Sequence, residues 1–274
     1  MMMDIKVNEG FSAIYEYVKK QKPLIHHLTN YVTAGDCANI ALCFGASPIM
    51  ADAAEEIGEI TASADALVLN LGTMNKVKFA SMELAAVRAR KKGLPIVIDP
   101  VGVMASDMRF EAAREIIRGG VSIVRGNYAE CQTLLLETRH GKGVDSLVTC
   151  QSDIGHLAEM AAQKYGCVFA VTGKEDAISD GKNTIIGSNG VEMLTKVTGT
   201  GCMTTTLIGC AAASSKDYLL AALCGIQTMN VAAETAFRAL KEAEGPGTFK
   251  TRLLDAVYLL SAEELIQMSK LRQM

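Results

Sequence analysis

Short runs of Val, Ile, Leu and Ala alternate along this chain with longer stretches in which apolar residues recur every three or four positions. The short runs are residues 24–28, 48–50, 66–70, 96–99, 122–125 and 167–172. Several are almost continuously apolar, the pattern of strands buried on both faces in a parallel sheet. The longer stretches between them, such as 76–92 and 155–165, predict helices. Strand and helix in alternation predict an α/β sandwich: a largely parallel central sheet with helices on both faces. Residues 177–188 predict a short antiparallel hairpin, with Ser179-Asp180-Gly181-Lys182-Asn183 as its turn. Beyond Gly201 the pattern becomes helical, over 202–213, 218–240 and 250–268. The second of these is apolar nearly all round, so it is expected deep in the protein. No Pro-, Gly- or Ser-rich linker and no internal repeat divides the chain, so one domain over 1–274 is expected.

Composition narrows the function classes. The chain has 274 residues, 49% hydrophobic, enough for a large core. A net charge of −3 gives no basic field to hold nucleic acid or an acidic membrane. With no Trp and 5% aromatics, base stacking is disfavoured too. The first residues lack an apolar signal-peptide core, and the apolar run at 218–226 is too short to span a bilayer. A soluble, cytoplasmic protein is expected. The eight cysteines (Cys37, Cys43, Cys131, Cys150, Cys167, Cys202, Cys210 and Cys224) form no CxxC pair. Apart from Cys202, they read as buried free thiols.

Cys202 stands in the segment richest in chemistry, Val197-Thr198-Gly199-Thr200-Gly201-Cys202-Met203-Thr204. Two glycines one residue apart, before a run of small residues, suggest a turn feeding a helix N-terminus. Free N–H groups and the helix dipole there favour an anion such as a phosphate. The same spacing also suits a tight turn that lets a helix pack against a sheet. It is not a P-loop, because no Gly-Lys-Ser/Thr ending follows.

Ligands of open α/β sheets gather at the carboxyl ends of the strands. At those ends stand Asp99 (in Asp99-Pro100-Val101-Gly102), Arg125 with Glu130 five residues on, and Thr172 before Gly173. Each has a structural reading as well. Asp99 before Pro100 can cap a turn, Asn127 and Glu130 can cap a helix, and Arg125 can form a surface ion pair. Their coincidence with the glycine turn at one end of the sheet favours phosphoryl transfer. Asp99 and Glu130 suit Mg²⁺, which takes one or two carboxylates together with substrate phosphates. Arg125 and Thr172 suit nucleotide phosphates, and the glycine turn suits the transferring group. His26 and His27, adjacent on a strand, point to opposite faces and do not make a shared metal site. Met50, at another strand end, is either core or a sulfur contact for a flat ring.

Taken together, Pro23–Asn30 ending in Leu-Thr-Asn, Gly45-Ala46-Ser47-Pro48-Ile49-Met50, Leu69-Asn70-Leu71-Gly72-Thr73, Asp99-Pro100-Val101-Gly102, Arg125–Glu130, Val171-Thr172-Gly173 and Gly199–Met203 resemble the motifs of the hydroxyethylthiazole kinases. These are members of the ribokinase-like superfamily. The resemblance runs in the family's order over nearly the whole chain. It implies an ATP- and Mg²⁺-dependent kinase of the hydroxyethyl group of 4-methyl-5-(2-hydroxyethyl)thiazole, in thiamine biosynthesis or salvage. It implies that Met50 and Gly199 bind the thiazole with Asn30 nearby, that Arg125 and Thr172 bind ATP, and that Asp99 and Glu130 face Mg²⁺. It also implies a homotrimer with the site between subunits. Two departures stand out: His27, where the family usually has Asn, and Val103-Met104, where a smaller residue is commoner.

The wider superfamily usually carries Asp where this chain has Cys202, and the thiazole kinases carry Cys. With ordinary pKa values of about 3.9 and 8.5, Asp is ionised at neutral pH and Cys is mostly not. Cys202 is therefore expected to orient the substrate hydroxyl and to act as a modest base at best. Three other readings stay open: a kinase of another vitamin precursor such as hydroxymethylpyrimidine, a dehydratase, and a non-catalytic protein that binds a thiamine precursor.

Overall fold

The computed structural model describes residues 2–138 and 154–274. The elements are α1 (Met2–Gln21), β1 (Leu24–Leu28), α2 (Ala34–Phe44), β2 (Ser47–Met50), α3 (Ile57–Ser63), β3 (Ala66–Asn70), α4 (Lys76–Lys92), β4 (Ile96–Asp99), α5 (Asp107–Arg118), β5 (Ile123–Asn127), α6 (Tyr128–Leu136), α7 (Ile154–Tyr165), β6 (Val168–Thr172), β7 (Asp176–Ser179), β8 (Thr184–Gly187), a 3₁₀ turn (Glu192–Lys196), α8 (Thr200–Ala212), α9 (Tyr218–Arg238), α10 (Pro246–Leu259), α11 (Ala262–Met268) and β9 (Leu271–Gln273).

All nine strands join one sheet in the order β2-β1-β3-β4-β5-β6-β7-β8-β9. From β2 to β6 the neighbours are parallel, and from β6 to β9 they are antiparallel. The period of two in the strands divides the core. Ile25, Val68, Val97, Ile123 and Ala170 face a layer of α1, α2 and α8–α11. Leu67, Leu69, Ile98, Val124 and Phe169 face a layer of α3–α7. The expected sandwich is therefore present. The hairpin forms as β7 and β8, with Lys182 and Asn183 donating their backbone N–H groups to Asp180 Oδ1 in the turn.

Among the elements that differ from the pattern reading, three do so for a clear local reason. The expected helix over 250–268 begins earlier, with Pro246 in its first turn, and breaks after Leu259. There Ser261 and Glu264 form a reciprocal capping box that starts α11. The helix expected from Cys202 starts two residues sooner, at Thr200. The C-terminal strand β9 has three residues and lies at the sheet edge, too short to leave a periodic signal. Seven of the cysteines are free thiols, and Cys150 lies outside the described residues.

Candidate active site

β3, β4, β5 and β6 lie side by side, and α8 packs against β3 and β4. Gly199 adopts φ +90°, a conformation that favours glycine, and is the N-cap of α8. No side chain caps this end, so the first N–H groups of the helix are left for an anion. Gly201 is required for a second reason. A Cβ there would lie 2.6 Å from Arg125 Nη1, so the guanidinium packs directly over the helix's first turn.

Arg125 projects from β5. Its Nη2 donates to Thr172 Oγ1 at 2.6 Å, and its Nη1 lies 3.7 Å from Asp99 Oδ2. Arg125, Thr172, Thr200, Gly201 and Thr204 line a cavity of about 180 Å³. Asp99 is fully buried. Its Oδ2 accepts from Thr205 Oγ1 of α8 at 2.8 Å, whereas Oδ1 has no hydrogen-bond partner. Burial pushes its carboxyl up to about 6, against the pull of Arg125 and with a further push from Glu130. Thr205 thus ties the strand-end acid to the glycine-turn helix.

Glu130 has a clear structural role. Its Oε2 accepts from Asn127 N at 2.9 Å and its Oε1 from Gly102 N at 3.0 Å, while Asn127 Oδ1 accepts from Glu130 N. The helix-capping reading of Asn127 and Glu130 therefore holds. The same bonds also place the Glu130 carboxylate beside the Asp99-Pro100-Val101-Gly102 turn.

Cys202 sits in the first turn of α8 and is partly buried. Asn70 Nδ2 donates to its Sγ at 3.3 Å and Asn30 Nδ2 at 3.5 Å. Burial raises its thiol pKa, with a further push from Asp99, while bonds to Thr33, Asn70 and Asn30 oppose the rise. Asn30 is thus engaged with Cys202, and its Oδ1 accepts from Thr33 N and Thr33 Oγ1. Gly199 packs against the same Thr33.

Met50, 37% exposed, opens instead onto a cavity of about 670 Å³ lined also by His27, Thr29, Tyr31, Thr73 and Lys78. Gly199 and Asn30 do not line that cavity. Asn30 is joined to it through its neighbour Thr29, and Cys202 is joined to the smaller cavity through its neighbour Gly201. Cys202 is thus next in sequence to a residue lining the smaller cavity, and it bonds Asn30, whose neighbour lines the larger one. The histidines face opposite sides, as expected. His26 Nε2 donates to Ala51 O at 2.8 Å, fixing the loop after Met50. His27 Nδ1 donates to Ile25 O, and burial lowers its pKa to about 4.

Sequence reasoning missed Thr205, Asn70 and Lys78. Asn70 is the polar end of an apolar strand and pairs in register with Asp99. A polar residue closing an apolar run was the available signal, and it had already been read at Asp99.

The profile of the hydroxyethylthiazole kinase family matches residues 15–263. A hydroxyethylthiazole kinase of Alkaliphilus metalliredigens is 43% identical over 94% of this chain and 95% of its own. One from Ruminiclostridium cellulolyticum is 46% identical over 88% and 89%. The structure of the hydroxyethylthiazole kinase protein from Pyrococcus horikoshii superposes with a TM-score of 0.87 at 35% identity, over 96% of this chain and 98% of that one. A pyridoxal kinase of Bacillus subtilis, 16% identical, shares the fold with a TM-score of 0.58 over 77% and 92%.

Proposed function

Because the chain belongs to the hydroxyethylthiazole kinase family, we propose that it transfers the γ-phosphoryl group of ATP to the hydroxyl of 4-methyl-5-(2-hydroxyethyl)thiazole, as a cytoplasmic enzyme of thiamine biosynthesis or salvage. The observation that carries this reading is the meeting of Asp99, Arg125 and Thr172 with the uncapped N-terminus of α8.

In this reading ATP phosphates lie in the smaller cavity. Arg125 and Thr172 hold them through charge-assisted hydrogen bonds. The N–H groups after Gly199 receive the charge that gathers on the transferring group. The thiazole lies over Met50 in the larger cavity, with its hydroxyl toward Cys202. Gly199 and Asn30 act at the edge of the thiazole site, with Asn30 working through Cys202. Cys202 orients the hydroxyl. With its thiol pKa raised, it is a weak base at neutral pH.

The oxygen donors around Asp99 fit Mg²⁺. Its Oδ1 is buried and unpaired, and Glu130 adds negative charge beside it. Both Glu130 oxygens already accept backbone N–H groups, so of the two Asp99 would be the direct ligand. Held there, the metal would supply positive charge to offset that of the phosphates.

A homotrimer with shared sites accords with the rim of the larger cavity. Tyr31 is 83% exposed there and Val77 75%, apolar surface that a neighbouring copy would cover. No helix among the described residues is long and apolar enough to cross a membrane. Incubation with ATP, Mg²⁺ and a panel of thiazole and pyrimidine alcohols tests the reading. The phosphorylated thiazole, detected by mass, is the expected product. Phosphorylation of a pyrimidine alcohol alone would replace the substrate, and no product at all would overturn the kinase reading.

A further inference from the structure

Building on the kinase reading above, we propose that Asn70 is a positioning residue for Cys202, locked in place by the buried ammonium of Lys78.

Asn70 is 1% exposed and closes β3. Its amide is held at both ends. Oδ1 accepts from Gly72 N at 2.9 Å and from Asn30 Nδ2 at 2.9 Å, which leaves Nδ2 aimed at Cys202 Sγ at 3.3 Å. These contacts fix the amide's orientation, since a flipped amide would set donor against donor at both Oδ1 contacts. Asn30 is fixed in turn by Thr33, so two amide N–H groups converge on one sulfur.

Lys78 closes the arrangement from below. Its side chain runs back from the first turn of α4 and is 7% exposed. Nζ donates to Thr29 O and, at 3.3 Å, to Gly72 O. Thr29 precedes Asn30, and Gly72 is the residue whose N–H holds Asn70. One ammonium therefore pins the two turns that present the two amides. A buried ammonium is costly without such partners, and burial does lower the pKa of Lys78 while Asp52 and Cys202 oppose the change.

Both amides donate to the same thiol sulfur. The sulfur is thereby held as an acceptor at a fixed point in the first turn of α8. That fixes where the substrate hydroxyl must lie. Misplacement by about 1 Å at such a point can cost on the order of 100-fold in rate.

Asn70→Asp is the discriminating variant. It keeps both acceptor bonds at Oδ1 and replaces the amide nitrogen, which faces sulfur and also lies beside Asp99, with an oxygen. Carbamidomethylation of Cys202 by iodoacetamide, followed on its own peptide by mass spectrometry, needs no turnover and so does not depend on the kinase assignment. In N70D it is expected to slow by about tenfold or more, because a carboxylate facing sulfur disfavours the reactive thiolate. In the same variant kcat should fall by about tenfold or more while KM for ATP stays within about twofold. Lys78→Met should shift both readouts in the same direction, and Lys78→Arg should restore them toward wild type. The Lys78 pair also carries the test if N70D folds poorly by circular dichroism. Wild-type alkylation rates in N70D and K78M would overturn the proposal. Altered alkylation without any kinase activity in the wild-type protein would keep it and overturn the kinase reading instead.

Discussion

At the scale of single residues, the proposed function divides the site into groups that would touch phosphate and groups that would place the hydroxyl. Arg125 belongs to the first set. It is bonded to Thr172 and paired with a buried Asp99, so in the proposed function its removal both deletes a phosphate contact and leaves an acid uncompensated. Arg125→Ala is expected to raise KM for ATP by about tenfold or more and to lower kcat as well, measured in steady state. Cys202 belongs to the second set. Cys202→Ala should lower kcat by about 10- to 100-fold and leave KM for ATP unchanged. An unchanged kcat would remove Cys202 from the mechanism. Asp99, Arg125 and Thr172 were legible because each ends an apolar run at the same edge of the sheet, and Cys202 because it follows two glycines at the start of a helical run. Lys78 was not legible. In the helical pattern of 76–92 a lysine in the first turn reads as solvated, and only the packing of α4 against the β1 and β3 turns buries it.

At the scale of elements, α8 sets the geometry. Its N-terminus depends on two glycines for different reasons, positive φ at Gly199 and close approach at Gly201. Gly199→Ala would place a side chain where its Cβ lies 2.6 Å from Thr33 Cγ2, in a backbone conformation costing about 1–3 kcal/mol. The expected result is a lower melting temperature together with weakened activity. Gly201→Ala should act differently. The backbone tolerates it, but the Cβ displaces the Arg125 guanidinium, so KM for ATP should rise more than the melting temperature falls. A similar response in both variants, compared by thermal melts and steady-state kinetics, would remove the distinction. The pattern reading placed the start of α8 at Cys202 because Gly199 and Gly201 look like turn residues. The structure brings Thr200 and Gly201 into the helix, since glycine there costs only about 1 kcal/mol and allows the arginine to close over it.

At the scale of the whole molecule, the sheet carries acids in its interior that make stability depend on pH. Asp176, at the start of β7, is 4% exposed and accepts from Gly173 N and Asn230 Nδ2. Burial outweighs those bonds and pushes its carboxyl from 3.8 to about 6. Between those values the folded protein holds a proton that the unfolded chain has released. Stability therefore falls as pH rises from about 4 to 6, by on the order of 3 kcal/mol for a shift of this size. Asp99 contributes with the same sign. The sandwich was legible from strand and helix periods, but this cost was not. It arises because β7 leaves the parallel order and turns Asp176 under α9, beside Asn230. Asp176→Asn removes one of the two titrations. Its stability, measured by urea unfolding from pH 4 to 7, should decline less steeply than that of the wild-type protein. Asn230 must turn its own amide to meet the new one, so the gain should appear in the slope against pH more than in absolute stability. Equal slopes would place the pH dependence elsewhere than in this buried carboxyl.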